Sequence, residues 1–166
     1  MTREKQRLIF LLERERRKTV DLLRDVDPRL VVHPDSGWRI MDVLAHLAAW
    51  EREVLASVQA FDEGDACSIA DYDLERYNQA QYERRRGLDP AQVRMDWGMV
   101  RRDIQDVVHD LKAHCFDVEM TYPSGRLGRV VPLIEELAAH EAEHREQVAL
   151  AIAGHRADDA VRGSTL

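Results

Sequence analysis

The sequence has few of the features that direct a chain to a membrane or to an oxidising compartment. It contains only two cysteines, Cys67 and Cys115, which lie in different segments and lack the spacing of a metal site. No apolar run approaches the ~20 residues that a membrane span needs, and residues 1–5 lead into an amphipathic segment rather than a signal peptide. These absences predict a cytoplasmic protein with two reduced thiols and no membrane partner.

Excess positive charge is lacking as well. The chain has 24 Lys and Arg residues against 31 Asp and Glu, a net charge of −7, and its basic clusters at 14–18 and 84–86 are short. Proteins that bind nucleic acids use clustered positive charge to displace counterions from the phosphates. We therefore expect no nucleic-acid partner and interpret both clusters as solvated helix faces.

Apolar residues recur at spacings of three and four along four long segments, a pattern that predicts amphipathic helices. The four segments are residues 3–26, residues from just after 37 to 61, residues 89–111 and residues 131–153. A shorter helix is predicted over residues 71–86. Asp35 or Ser36 is expected to cap the second helix, and Asp89 the third. Residues 115–129 predict a loop or small hairpin because they contain a Pro-Ser-Gly turn sequence.

Four amphipathic helices of this length predict an all-α fold, a helix bundle with one extra short helix. The composition, with 33% charged and 45% hydrophobic residues, is typical of a helix-rich globular domain. Residues 1–155 are expected to form that domain, and residues 156–166 a flexible tail.

The most specific motif is the pair of histidines in His140-Glu141-Ala142-Glu143-His144. In a helix of about 3.6 residues per turn, both rings project from the same side and can bind one metal ion. Glu141 between them is placed to act as a base on a metal-bound water. The same glutamate is equally able to orient a ligand imidazole or to form a salt bridge on the helix.

A third histidine, His46, lies on the flank of the apolar face of the second helix, whereas His109 and His114 are expected to be exposed. Three buried neutral rings cannot satisfy one another's nitrogens, but one divalent cation accepts a lone pair from each. We therefore favour a metal site at His46, His140 and His144, with Zn²⁺, Ni²⁺ or Fe²⁺ as candidate ions. The alternative is that these are core or surface histidines that bind no metal.

Two segments resemble the DinB-like superfamily. Residues 38–51 (WRIMDVLAHLAAWE) resemble its second helix, and residues 140–145 (HEAEHR) resemble its last helix, which carries a His-x-x-x-His pair. The resemblance covers essentially the whole chain in helix order and length. It implies an antiparallel four-helix bundle with up-down-down-up topology, often dimeric, and a divalent metal held by His46, His140 and His144.

Characterised members of that superfamily include thiol S-transferases that use bacillithiol or mycothiol, and a mycothiol-dependent maleylpyruvate isomerase. The resemblance therefore implies a transferase that joins a low-molecular-weight thiol, such as bacillithiol, mycothiol or glutathione, to a small-molecule electrophile. The metal of such enzymes favours the thiolate form of the thiol. A homodimer is expected on the same ground, and Tyr122 and Arg126 are expected to line the mouth of the pocket.

The histidine motif also has other interpretations. A zincin protease of one type would need Gly and His at the positions where the chain has Gln147 and Leu150. A protease of the other type would need a Glu ligand further along the chain, and no Glu follows position 146. A metal-dependent hydrolase with Glu141 as its base is the alternative enzyme. A di-iron site would need a second inward pair, but Asp106 and His109 are expected to face outward. A bundle that binds a partner without catalysis is the non-enzymatic alternative.

Overall fold

Five α-helices and four short strands are present in the computed structural model, which describes residues 2–163. The helices are α1 (Arg3–Leu22), α2 (Ile40–Glu63), α3 (Leu74–Arg85), α4 (Pro90–Asp110) and α5 (Val130–Gly163). The strands are β1 (Val31–His33), β2 (Trp38–Arg39), β3 (Met120–Thr121) and β4 (Leu127–Gly128), and a 3-10 helix (Ala113–Phe116) precedes β3. The fold is all-α, as predicted, and α3 is the extra short helix. None of the described helices combines the length and the apolar character needed to cross a lipid bilayer.

Side-chain caps explain where three of the helices begin. Thr2, Asp73 and Asp89 each accept a hydrogen bond from a backbone N–H in the first turn of α1, α3 and α4. The Asp89 cap is the predicted one, and Pro90 follows it in the first turn of α4, where a missing N–H costs nothing.

The start of α2 differs from the prediction. Residues 31–39 form a hairpin in which β1 pairs antiparallel with β2, and Gly37 lies in its turn with a φ of +73°. The N-cap of α2 is therefore Arg39, not Asp35 or Ser36. Its backbone N–H and its guanidinium both donate to the carboxylate of Asp42, at 2.9 and 2.8 Å. Two strands of two or three residues are too short for their alternation to be recognised in the sequence.

The predicted hairpin within 115–129 is present, with β3 and β4 paired antiparallel. Tyr122 closes it by donating its hydroxyl to the carbonyl of Arg129 at 2.6 Å. Gly128 is required beneath the ring, because a Cβ at that position would lie 2.5 Å from atoms of Tyr122. The hairpin therefore holds Tyr122 in one fixed place.

Helix α5 continues to Gly163, whereas the sequence pattern ended it near residue 153. Residues 156–163 are helical in the structure, and residues 164–166 lie outside the described residues. The apolar stripe fades beyond Ile152, which is why periodicity alone stopped there. The division into a domain over 1–155 and a flexible tail over 156–166 stays a prediction.

Hydrogen bonds and ion pairs between helices, made by side chains to side chains or to backbone carbonyls, show the directions of the four long helices. Helix α1 runs antiparallel to α4, because the start of each helix meets the end of the other. Helix α1 runs parallel to α5, and helix α2 runs parallel to α4. The contacts are Lys5 with His109, Arg94 with Leu23, Arg7 with Glu135, Glu15 with Arg145, Arg52 with Asp96, and Asp62 with Lys112. The order along the chain is thus up-down-down-up, as the resemblance implied.

The apolar core is divided into two clusters along the bundle axis. One cluster contains Leu8, Val58, Val108 and Ile134, and the other contains residues such as Val148 from the opposite end of the bundle. A layer of buried charge lies between the two clusters. The layer consists of Arg16 from α1, Glu51 from α2, Arg101 from α4 and Glu141 from α5.

This four-residue ionic layer is closed on itself. Arg16 binds Glu51 at 2.6 Å and Glu141 at 3.1 Å, and Arg101 binds the same two carboxylates at 2.5 and 2.6 Å. Burial lowers the pKa of Arg101, but the charges of Glu51 and Glu141 raise it by more, so the guanidinium stays protonated. Two positive and two negative groups cancel, and each carboxylate contacts both arginines.

The ionic layer corrects one sequence-based interpretation. Residues 14–18 were interpreted as a solvated face, but the Arg16 side chain is only 11% exposed. Its guanidinium lies 3.7 Å from the ring centre of Trp97 and donates to the Trp97 carbonyl. Glu15 in the same segment is also buried, and it pairs with Arg145 at 2.8 Å. The basic cluster therefore points partly inward.

Removal of one cation from the ionic layer is expected to destabilise the fold strongly. An Arg101→Met substitution leaves two buried carboxylates sharing one guanidinium, so the free energy of unfolding should fall by roughly 3–5 kcal/mol. Urea denaturation measures this free energy of unfolding. The matched control is Arg102→Met, an exposed neighbour on α4 that should change little. Equal effects of the two substitutions would contradict the role assigned to the layer.

Candidate metal centre

Three histidine rings meet between α2 and α5. His46 Nε2 lies 3.2 Å from His140 Nε2, which lies 3.1 Å from His144 Nε2. The two residues of α5 share a face because they are four positions apart, and α2 runs antiparallel beside that face. One ligand atom from each ring falls within 4.8 Å of the others. The structure thus brings together the three residues that the sequence singled out.

The electrostatics of the cluster keep the rings neutral. Burial, reinforced by the neighbouring histidines, lowers the pKa of His46 to about 3. Burial and the charge of His144 lower the pKa of His140 to about 4. The pKa of His144 is lowered mainly by burial, against the opposing effect of a hydrogen bond to Gln147. Neutral imidazole is the form that binds metal ions, so the ligands are ready at neutral pH.

Gln147 fixes the tautomer of one ring. The side-chain oxygen of Gln147 accepts a hydrogen bond from Nδ1 of His144 at 2.9 Å. Because the proton then sits on Nδ1, Nε2 of His144 presents a lone pair to the centre of the cluster. A partner of this kind orients a histidine ligand and raises its basicity. In the sequence Gln147 is only a departure from a protease motif, and its contact with His144 is visible only in the structure.

The nitrogen positions fit a single cation. His140 Nε2 faces two other Nε2 atoms, and one ring nitrogen cannot donate to or accept from both in good geometry. Imidazole nitrogens about 2.0–2.1 Å from a tetrahedral ion lie roughly 3.4 Å apart, close to the separations seen here. Among the described residues, the potential ligand set contains these three histidines alone. Three imidazoles suit Zn²⁺, Ni²⁺ or Fe²⁺.

A fourth histidine lies near the cluster, which the sequence analysis did not anticipate. His33 of β1 is close enough for its charge to lower the pKa values of His46 and His144. Its ring lies 6.2 Å from Trp38, which in turn packs 5.3 Å from the ring of His46. The β1–β2 hairpin therefore covers one side of the cluster. His109 is exposed, as expected.

Glu141 does not reach the metal ligands, and its predicted role as a base is corrected. Both of its carboxylate oxygens accept hydrogen bonds from the guanidinium groups of Arg16 and Arg101, and its side chain is fully buried. It belongs to the ionic layer and is absent from the walls of the neighbouring cavity. The salt-bridging alternative is the correct one, although the partners lie on α1 and α4 rather than on α5.

A cavity of about 510 Å³ opens beside the three histidines. Tyr122 and Arg126 line it, as predicted for the mouth of the pocket. The Arg126 guanidinium lies 4.7 Å from the centre of the Tyr122 ring and binds Glu136 at 2.9 Å. Glu143, an exposed carboxylate beside His144 on α5, also lines the cavity. The space suits a small molecule that reaches the histidines at one end.

Comparisons of sequence and structure identify related proteins. The sequence profile of the DinB superfamily matches residues 11–148, a range that contains all three clustered histidines. No curated protein matches the chain in sequence.

Several solved structures share the fold. An uncharacterised protein from Escherichia coli UTI89 has a TM-score of 0.74 at 13% identity, with 94% of this chain and 96% of that chain covered. The mycothiol-dependent maleylpyruvate isomerase has a TM-score of 0.71 at 12% identity, covering 89% of this chain but 63% of that one. YfiT from Bacillus subtilis is described as a probable metal-dependent hydrolase with an unusual four-helix bundle topology. It has a TM-score of 0.70 at 15% identity, with 91% of this chain and 87% of that chain covered. At such identities the likeness concerns the fold.

The geometry predicts one divalent cation per chain, lost when a ring is removed. His46→Ala and His144→Ala should each reduce bound zinc or nickel from about one equivalent to a trace, because two imidazoles hold these ions far more weakly than three. Elemental analysis after dialysis measures the content. His109→Ala and His114→Ala, which alter exposed rings, serve as controls. Equal metal content in all four variants would exclude the site.

The lowered pKa values predict acid sensitivity of the metal-free protein. Folded His46 and His140 titrate near 3 and 4, against 6.5 for an unperturbed ring. Between pH ~6.5 and ~4 the unfolded chain therefore binds more protons, and the free energy of unfolding falls as the pH falls. Urea unfolding at a series of pH values should show a steeper fall for the wild type than for His46→Gln. Parallel curves would show that His46 is not held neutral.

Proposed function

The chain belongs to the DinB superfamily, and we propose that it is a divalent-metal-dependent enzyme that transfers a low-molecular-weight thiol to a small-molecule electrophile. His46, His140 and His144 hold the metal in this proposal. The observation that carries it is the meeting of three neutral rings at one end of a cavity large enough for a small molecule. Three protein ligands with an open position are typical of catalytic rather than structural metal sites.

The chemistry follows from that open position. A divalent cation held by His46, His140 and His144 would lower the pKa of a thiol beside it, so that thiolate would be available near neutral pH. In the transfer, the thiolate sulfur forms a bond to the electrophilic carbon, and the leaving group departs with the electron pair of its bond to that carbon. The thiol proton passes to solvent, which the cavity admits.

The protein's own residues orient and shield the reacting groups. Gln147 holds the ring of His144 with its Nε2 lone pair toward the cluster. Trp38 packs against the ring of His46 and stacks on Tyr82 of α3, 5.5 Å between ring centres. These contacts fix the ligands before the substrates arrive, which reduces the reorganisation needed for reaction.

A metal-dependent hydrolase is the second candidate, and two observations favour it. YfiT, which shares the fold, is described as a probable metal-dependent hydrolase. Glu143 lines the cavity as an exposed carboxylate beside His144, so it is placed to accept a proton from an attacking water. In this chain Glu143, rather than Glu141, would be the base of a hydrolase.

The partners of the proposed reaction are predictions. Mycothiol is the thiol named for one structural relative, the maleylpyruvate isomerase, and bacillithiol and glutathione are the other candidates. The homodimeric state, the cytoplasmic location and the lack of a nucleic-acid partner rest on the sequence and on the resemblance alone.

Consumption of thiol by the zinc- or nickel-loaded protein tests the proposal. Mycothiol, bacillithiol and glutathione are each incubated with 1-chloro-2,4-dinitrobenzene, and the coloured thioether is followed. We expect one thiol to react at least about tenfold faster than the uncatalysed rate, with the gain lost in His140→Ala and kept in His114→Ala.

Three outcomes separate the alternatives. Metal-dependent cleavage of p-nitrophenyl acetate without thioether formation, lost in Glu143→Gln, would favour the hydrolase. Stable protein that binds no metal and turns over neither substrate would favour a bundle that only binds a partner. Thioether formation that is unaffected by chelation would overturn the metal-dependent mechanism.

A further inference from the structure

The cavity is elongated, and the three histidines lie toward one end of it. On α2 its wall runs from His46 through Trp50 to Val54, eight residues or about 12 Å at the helical rise of 1.5 Å per residue. On α5 it runs from His144 back to Leu133, about 16 Å. The space is thus a trough in the groove between two antiparallel helices, and a molecule lying in it has its two ends in different surroundings.

The middle of the trough is aromatic and apolar. Trp50 forms its wall with a fixed orientation, because its ring N–H donates to Asn78 at 3.1 Å and its ring packs 4.7 Å from Tyr77. Tyr72 meets Trp50 edge-on at 75°, with 6.2 Å between ring centres, so the two rings form a corner. The face of a flat ring can pack against one of them while its edge meets the other.

Two of the apolar lining residues have no place in the core. Tyr72 is 37% exposed and Leu74 is 50% exposed, although both are large and both line the trough. The connector that carries Tyr72 and leads into Leu74 at the start of α3 is nevertheless tied down, because Ile69 N–H donates to the carbonyl of Pro123 at 2.8 Å. Large apolar groups held exposed at the edge of a cavity are typical of a ligand-contact surface.

The trough also contains one cation with free donors, Arg126 of the β3–β4 hairpin. Within the described residues only its Nη2 group is engaged, with Glu136, which leaves Nε and Nη1 as donors. This ion pair is exposed, 60% and 54%, and is therefore weak. The guanidinium lies over Tyr122, which Gly128 and Arg129 hold in place. Glu136 lies four residues before His140, so Arg126 is about 6 Å further along the trough.

From these observations we propose that the electrophile is an aromatic carboxylate. Its ring packs in the corner of Trp50 and Tyr72, its carboxylate accepts hydrogen bonds from Arg126, and its reactive carbon points to the three histidines. A para-substituted benzoate has the required length, since its two substituents are separated by one ring. The inference rests on the proposed thiol transfer for the identity of the reaction, but the ligand class rests on the trough alone.

Binding of two matched probes to the zinc-loaded protein tests the ligand class without turnover. The probes are 4-methylbenzoate and the neutral 4-methylbenzamide, and tryptophan fluorescence or calorimetry reports their affinities. The wild type should bind the carboxylate about tenfold more tightly. Arg126→Gln should remove this preference and leave the affinity for the amide unchanged, whereas the remote Arg102→Gln should keep the preference.

The aromatic corner is tested with the same probes. Tyr72→Ser and Leu74→Ser should each weaken both probes about three- to tenfold, and because both side chains are exposed the variants should fold. Leu150→Ser, which alters another exposed leucine away from the trough, is the matched control. Equal affinities in Tyr72→Ser and the wild type would overturn the ring site. A preference for the carboxylate that survives Arg126→Gln but is lost in His46→Ala would place the carboxylate on the metal and overturn the orientation.

Turnover separates this inference from the proposed function. With thiol present, 4-(chloromethyl)benzoate should have a KM about tenfold below that of benzyl chloride, and Arg126→Gln should bring the two KM values together. Chloride leaves the benzylic carbon as the carbon–sulfur bond forms. Thiol transfer to both compounds with equal KM would keep the proposed function and overturn the ligand class. Probe binding without any thiol consumption would keep the ligand class and overturn the thiol transfer.

Discussion

The ionic layer of Arg16, Glu51, Arg101 and Glu141 is the interaction on which the arrangement of this bundle depends. Each of the four long helices contributes one residue, and the two carboxylates are shared between the two guanidinium groups. A buried charge is tolerated only when it is paired, so the four helices must meet at one height and in one rotation. An apolar core alone would permit the helices to slide or turn slightly against one another. Four charged groups that must contact one another prevent such shifts.

This constraint also places the metal centre. Glu141 follows His140 directly on α5, and Glu51 lies five residues after His46 on α2. Consecutive residues of a helix point about 100° apart, so α5 can direct Glu141 to the arginines on α1 and α4 and His140 to α2. The layer thus takes up one carboxylate from each of these helices, and the neighbouring faces present neutral imidazoles.

The β1–β2 hairpin and the β3–β4 hairpin complete the site from outside the bundle. The first brings Trp38 and His33 to the histidine cluster. The second holds Tyr122 and Arg126 along the cavity. The helices therefore supply the ligands and two of the walls, and the connections between them supply the rest of the enclosure, so that loops complete a site that a rigid scaffold positions.

Local pattern in the sequence was sufficient for the helices, for the shared face of His140 and His144, and for the inward position of His46, because helical periodicity is a property of neighbouring residues. It was sufficient for the cap at Asp89 for the same reason.

The partners of Glu141 could not be predicted in this way. Arg16 is 125 residues away and Arg101 is 40 residues away, and no local spacing records a contact between distant segments. The approach of His33 to the cluster and the hairpin at Trp38 also depended on tertiary packing, since strands of two or three residues leave no periodic signal. The sequence determined which apolar side chains and which histidines face inward, and the tertiary structure decided which charged groups are buried and which side chains meet, because an ion pair or a ligand set exists only when separate helices pack at a particular height and rotation.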